Sequence, residues 1–177
     1  MYQKVDVADA KTTNILLKDL IDEMGQADAV FICSGVGYTE SELGRQKQKE
    51  KIDVNVLGFA VCANLFLDHF VQNGRGHLVG ISSIAALRGS GSGALCSASK
   101  AFVSNYIKGL RRKMKSTGAD IVVTEIQPGF VNTTLAKGER LFWAASPEKA
   151  AEQILKAVRK KKKHAYISKR WRIMPGF

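Results

Sequence analysis

The stretch ISSIAALRGSGSGALCSASK, residues 81–100, decides how this sequence is read. It opens at the end of an apolar run, residues 76–83 (GHLVGISS), whose length and β-branched content suit a buried strand. It passes through Gly89-Ser90-Gly91-Ser92-Gly93, a loop composition, and enters a helical pattern over residues 94–115 that Ser116-Thr117-Gly118 stops. Cys96 and Lys100 stand four residues apart, so they share one helix face. Ser82-Ser83 close the strand just before them. A nucleophile, a cation and two hydroxyls therefore gather where a strand hands over to a helix.

Outward from this stretch the same alternation repeats. Residues 3–7 read as a short strand. Residues 12–24 form a helical stripe through Ile15, Leu16, Leu20, Ile21 and Met24. Residues 27–33 (ADAVFIC) suit a buried strand, and residues 34–37 turn. Residues 46–73 suit a long helix with Ile52, Val56, Phe59, Ala60, Ala63, Leu67 and Phe70 on one side, ended by Asn73-Gly74. Residues 121–126 (IVVTEI) predict a strand ending before Pro128-Gly129. Ser146-Pro147-Glu148 starts a helix with an N-cap hydroxyl, a proline in the first turn and an acid at the positive end, running to about Lys160. Residues 165–168 complete the series as a last strand. Short apolar strands alternating with amphipathic helices predict βαβ units, hence an α/β fold with a doubly wound parallel sheet in a single domain over residues 1–177. In such a sheet ligands bind beyond the carboxyl ends of the strands. Ser34-Gly35, Ser83 and Pro128-Gly129 all fall on that rim, and Asn55 in the long helix reaches it from the side.

Composition narrows the class. A hydrophobic content of 45% against 24% charged residues suits a packed domain and excludes a disordered chain. Residues 156–172 hold nine Lys and Arg and no acid, so most of the net charge of +11 belongs to one end of the chain. That basic segment is either a solvated helix end and strand or a patch that meets phosphates or an anionic membrane surface; nucleic acid is not the expected partner. His69, His77 and His164 share no ligand spacing with Cys33, Cys62 and Cys96, so no metal site is expected. His69 and His77 read as helix-end and strand-edge residues, and Cys33 and Cys62 as small core residues. No apolar run reaches the eighteen or so residues of a membrane span, no signal-peptide pattern opens the sequence, and the odd cysteine count fits a reducing compartment. The expectation is a cytoplasmic protein, with membrane-peripheral contact through the basic segment.

The order of motifs resembles the short-chain dehydrogenase/reductase family over residues 3–172. Asp6-Val7 is similar to the Asp-Val pair that touches the adenine ring. Cys33-Ser34-Gly35 stands where the family has Asn-Ala-Gly. Asn55-Val56-Leu57-Gly58 matches Asn-x-x-Gly, and Ser83 precedes Cys96 by the interval that separates the family's serine and tyrosine. Cys96-Ser97-Ala98-Ser99-Lys100 matches Tyr-x-x-x-Lys except at its first residue. Pro128-Gly129-Phe130-Val131-Asn132-Thr133 matches Pro-Gly-x-Val-x-Thr. The resemblance implies a Rossmann-like fold, NAD or NADP as cofactor, a small carbonyl or alcohol substrate, and a homo-oligomer built on residues 46–73 and 94–115. It implies that Lys100 lowers the pKa of the proton donor and holds the nicotinamide ribose, that Ser83 binds the substrate oxygen, and that Asn55 fixes a proton-relaying water. Thr133 would bond the carboxamide. Asp6, Val7, Ser34, Gly35, Pro128, Gly129 and Val131 would complete the cofactor's surroundings.

Two departures qualify this. A thiol at Cys96 ends one bond past Cβ, whereas a phenol oxygen lies across a ring, so Cys96 is an inert replacement, a reactive thiol beside Lys100, or the wall of a gap that a water fills. Tyr38 and Tyr106 are the other phenols to weigh. The family's first strand, glycine-rich phosphate loop and second strand have no counterpart in the sequence, which predicts a sheet incomplete on its N-terminal side, with either further residues before Met1 or a start that packs differently. The sequence thus supports two readings: an NAD(P)-dependent oxidoreductase of reduced competence, and a non-catalytic relative that binds or scaffolds. Leu141-Phe142-Trp143 adds an expectation of an apolar substrate.

Overall fold

The computed structural model describes residues 2–38, 44–133 and 143–173, without the side chains of the last two of these. Four parallel strands, β1 (Ala29–Ile32), β2 (Arg75–Ile81), β3 (Asp120–Pro128) and β4 (His164–Ile167), lie side by side in chain order. Successive parallel strands need crossovers, and these are α2 (Arg45–Ile52) continuing as α3 (Phe59–Gln72), then α4 (Ala94–Ser116), then α5 (Pro147–Arg159). α1 (Ala10–Met24) precedes the sheet and packs on α3. α1, α3 and α4 cover one face, around Phe59, Leu67, Phe70, Leu78, Ile107 and Met114; α5 covers the other, around Val79, Ile126, Ala157 and Ile167. Phe70, Leu78 and Ile107 are fully buried, each stabilising the fold by about 1.5–3 kcal/mol.

The sheet is doubly wound and stops at β1. Among the described residues β1 pairs with β2 alone, and Phe31, on the α5 side of this edge strand, stays 40% exposed. Residues 3–7, expected as a strand, form none. Among the described residues no strand lies beside them to satisfy their backbone; instead the Asp6 carbonyl accepts the Thr13 hydroxyl, and Val7 lies against Gly58. A Cβ on Gly58 would come within 2.6 Å of the Val7 carbonyl oxygen, so glycine is what lets these two segments touch.

Most expected elements form within two or three residues of their predicted ends. β3 runs on through Pro128, paired with Ile167, because the neighbouring Gly129 N–H donates to the Ile167 carbonyl and the pairing needs no N–H from the proline. Ser146 caps α5, its hydroxyl accepting from the Lys149 N–H, with Pro147 and Glu148 in the first turn as expected. α1 is tilted from its expected stripe: Thr13, Leu17 and Ile21, spaced by four, face the core, and Ile15 and Met24 are about half exposed. The long helix holds a surprise. Its segment Asp53–Gly58 is a π-helix, and the extra residue in that turn rotates the face before it. Lys51 is thereby buried at 0% exposure, while Ile52, expected inside, is 41% exposed. An eighteen-residue window of Arg45–Gln72 has mean hydropathy 1.6, enough by length and composition for a membrane span, yet 56% of it is buried inside the protein. That apolarity serves the core.

His77 sits in a central strand, not at an edge, with Nε2 2.8 Å from the Thr124 hydroxyl; His164 Nε2 is 2.6 Å from Gln127 Oε1. Burial lowers the pKa of both rings. Lys161 adds to this at His77, and at His164 the pull of Glu125 is opposed by Arg111 and Lys108. Below the ordinary imidazole value of 6.5 the unfolded chain therefore binds protons that the folded chain refuses. Stability should fall as pH drops from that value towards the folded pKa values. Urea midpoints measured along this range should show the decline, and His77→Gln, which keeps a partner for Thr124, should flatten part of it. A midpoint independent of pH there would contradict the assignment.

Candidate functional site

The carboxyl ends of β1, β2 and β3 open onto one rim, and α4 starts beside it. Asn55, in the π turn, is 2% exposed and ties three elements together. Its Oδ1 accepts the Val36 N–H at 2.8 Å, and its Nδ2 donates to the Val36 carbonyl at 3.0 Å and to the Ser99 hydroxyl at 3.3 Å. Ser99 in turn donates to the Cys96 carbonyl at 2.9 Å. The loop after β1 is thus fixed to α4 through one amide. The Asn55 side chain is a clamp, which the motif spacing alone did not reveal.

Lys100 reaches back along α4 and donates to the Ile81 carbonyl at 3.1 Å, at the end of β2. A Cβ built on Gly35 would stand 3.6 Å from Lys100 Nζ and 3.5 Å from Asn55 Oδ1, so Gly35, Asn55 and Lys100 meet at one point. Burial lowers the pKa of Lys100, while Cys96 and Cys33 act on it in the opposite sense. Cys96 is half-buried, one turn from the ammonium. Cys62 is buried in the core as expected, but Cys33 is exposed as a residue; desolvation around its thiol still raises its pKa, opposed by Lys100. Two thiols therefore flank one lysine.

Ser83 follows β2 in extended conformation. Its hydroxyl accepts the Ala85 N–H at 3.1 Å and points to the Pro128 carbonyl at 3.5 Å, which joins the β2 and β3 ends. Gly129 lies flat under Trp171: an added Cβ would fall 1.9 Å from the indole nitrogen. Trp171 also meets Phe130 and Trp143 edge to face, forming an aromatic wall beside the Pro-Gly turn. Val131 bridges Ala145, and Thr133 is exposed. Leu141 and Phe142 lie outside the described residues. Ser34 Oγ is buried with no hydrogen-bond partner among the described residues. Asp6 is exposed, its carboxylate accepting the Ala8 N–H, and Val7 sits on the π turn.

The structure thus brings Gly35, Asn55, Cys96 and Lys100 together, with Ser83 and Pro128 at the neighbouring strand ends. Neither other phenol replaces the one missing at Cys96: Tyr38 donates to Glu50 at 2.8 Å and Tyr106 pairs with Asn64 while stacked on Phe102. Two features escaped sequence reading. Lys51, inside the protein, donates to the Tyr38 carbonyl at 3.3 Å. Glu125, 1% exposed, accepts the Ser82 hydroxyl at 2.8 Å directly beneath the site. The polar residues Thr124, Glu125 and Gln127 in an otherwise apolar strand were the available signal. Among the described residues no cluster of His, Cys, Asp and Glu could hold a metal.

The family model for short chain dehydrogenases matches residues 1–166, and the chain belongs to that family. It is 40% identical over 134 residues to an uncharacterised oxidoreductase of Myxococcus xanthus, covering 75% of this chain and 52% of that protein. It is 31% identical over 159 residues to one from Staphylococcus haemolyticus, covering 86% and 67%. The chain thus spans about half to two thirds of the length of these curated relatives. Among solved structures, a short-chain dehydrogenase/reductase of Burkholderia phymatum in complex with NAD matches at TM-score 0.84 and 18% identity, covering 97% of this chain and 73% of that one. A short-chain dehydrogenase of Sphingobium yanoikuyae in complex with NADPH matches at 0.82 and 17%, covering 97% and 70%. At these identities the likeness is one of fold.

Asn55→Ala should strand the buried Val36 N–H and carbonyl and cost about 2–4 kcal/mol, read as a lower urea midpoint with an unchanged slope. Asn55→Asp, which keeps the acceptor, should recover part of the loss. If both variants match the parent, the clamp is not holding the site.

Proposed function

We propose that this chain forms the nicotinamide-ribose and substrate side of an NAD(P)-dependent oxidoreductase site acting on a small carbonyl or alcohol, with turnover limited by proton transfer. The observation that carries the reading is Lys100, held by the Ile81 carbonyl at the end of β2 beside Gly35 and Asn55, with Ser83 two residues further along the same strand end. The residues fit such a cofactor on this side: the buried Ser34 hydroxyl, without a partner among the described residues, and the half-buried Lys100 ammonium offer donors to ribose and amide oxygens, and the exposed Thr133 hydroxyl, which donates to the Val131 carbonyl at 3.4 Å, would turn to the carboxamide. Asp6 and Val7 would meet the adenine, and Gly35, Pro128, Gly129 and Val131 would form the walls. When bound, the nicotinamide supplies or accepts hydride.

The chain's own residues do the rest. The Ser83 hydroxyl hydrogen-bonds the substrate oxygen as negative charge develops on it. Asn55 holds the Val36 loop and the Ser99 turn so that Lys100 keeps its place. Cys96 stands in the proton donor's position with a side chain too short to reach that oxygen, so a relayed proton is the slow event. The Phe130–Trp171–Trp143 wall supports an apolar substrate. Three free thiols support a reducing, cytoplasmic setting, and the exposed Leu57 and Val71 support pairing of this helix with a second copy. The short Cys96 side chain also favours a second reading, in which the site binds nucleotide without turnover.

NADH and NADPH binding and turnover on a carbonyl panel separate the two. Cys96→Tyr should raise turnover by about a hundredfold, the usual contribution of a positioned general acid, with nucleotide affinity little changed. Lys100→Met should abolish the gain. Binding without turnover in both the parent and Cys96→Tyr would establish the binding protein instead, and absence of binding in either would overturn the oxidoreductase reading.

A further inference from the structure

The basic segment acquires a shape in the fold that its sequence does not show. On α5, Lys149, Gln153, Lys156 and Lys160 follow one another at helical spacing along one stripe, while Ala150 and Ala157 turn to the sheet. Lys162, and past β4 Lys169 and Arg170, face the same space. Six cations, from α5, the turn that ends it and the segment past β4, thus line a groove of about 1060 Å³, and Glu152 is the one acid among its lining residues. None of the six takes part in an ion pair among the described residues, whereas Lys161, in the same run, pairs with Asp120 at 3.2 Å. The groove meets the Lys100 site at Trp143, which lines it and stands in the aromatic wall; Lys100, Asn55, Ser83 and Cys96 lie outside it.

A merely solvated basic face would keep its polar atoms in water. Here Gln153 Oε1 and Ser168 Oγ, both lining the groove, are buried with no hydrogen-bond partner among the described residues. The missing partners are complementary. The Ser168 hydroxyl and the ammonium groups donate, which calls for an oxyanion; Gln153 Oε1 accepts, which calls for a ligand hydroxyl or amine. Gathering six like charges opposes folding, and an anion in their midst relieves that repulsion. We propose that the α5–β4 groove is a binding site for an organic phosphate that carries a hydroxyl group, either a free metabolite or a lipid headgroup.

Glycerol 3-phosphate is the soluble probe and phosphatidylcholine vesicles containing phosphatidylglycerol are the headgroup probe, both used with the full 177-residue chain. Calorimetric titration should show saturable binding that the double variant Lys156→Gln/Lys160→Gln weakens by at least about tenfold and Ser168→Ala by a smaller factor. The double variant Lys113→Gln/Lys115→Gln, which removes the same charge from the end of α4, should bind like the parent, and circular dichroism should show all variants folded. Vesicle retention that only the groove variant loses, without binding of the soluble probe, would identify the headgroup as the source. Equal loss in the two double variants, no binding of either probe, or binding to duplex DNA alone would overturn the proposal. None of these readouts depends on oxidoreductase activity.

Discussion

The amide of Asn55 is the interaction on which the rest of the site depends. A side chain with one acceptor and one NH2 group, buried at 2% exposure, must find partners for all of them or leave the fold destabilised. It finds both backbone groups of Val36 and the hydroxyl of Ser99. That arrangement joins the end of β1 to α4 across the long helix. The π turn at Asp53–Gly58 is the local departure from α-helical geometry at which this contact occurs. The same turn carries two further consequences: Lys51 is rotated inward, and Gly58 presents a bare backbone on which Val7 can lie.

Around this clamp the electrostatics are set by burial more than by pairing. Lys100 has a carbonyl, not a carboxylate, as its hydrogen-bond partner, so desolvation lowers its pKa and only the two thiols act in the other direction. A lysine in that state is a hydrogen-bond donor whose charged form is less stable than in water. Cys96 adds little reach of its own. The site thus gathers hydrogen-bonding groups around Lys100, with the short Cys96 thiol one helical turn before it. Beneath it, the Ser82–Glu125 contact fixes the strand end from which Ser83 emerges.

The charge of the molecule is organised separately from this cleft. α5 has an apolar side of alanine and aliphatic residues against β3 and β4 and a side of lysines facing outward along the β4 edge. The helix cap at Ser146 fixes where that helix begins and therefore which lysines face the groove. The Lys100 cleft and the basic groove thus occupy different parts of one parallel sheet and meet at Trp143.

Local spacing carried much of this in the sequence. Cys96 and Lys100 share a face because four residues span one helical turn, and Ser146-Pro147-Glu148 starts a helix through chemistry confined to its first turn. The strand-to-helix alternation sets the parallel α/β class, and the incomplete sheet follows from the strands that the motif order lacks. What only the tertiary structure decided are the features that depend on partners distant in sequence or on one inserted residue. Residues 3–7 have a strand's composition and, among the described residues, no strand to pair with. A π turn moves the buried face by one position, so Lys51 is inside and Ile52 outside. Glu125 is buried because Ser82, forty-three residues away in sequence, meets it. Periodicity records which way a side chain points along a regular element; it does not record what the opposite element offers, and burial and hydrogen bonding are settled there.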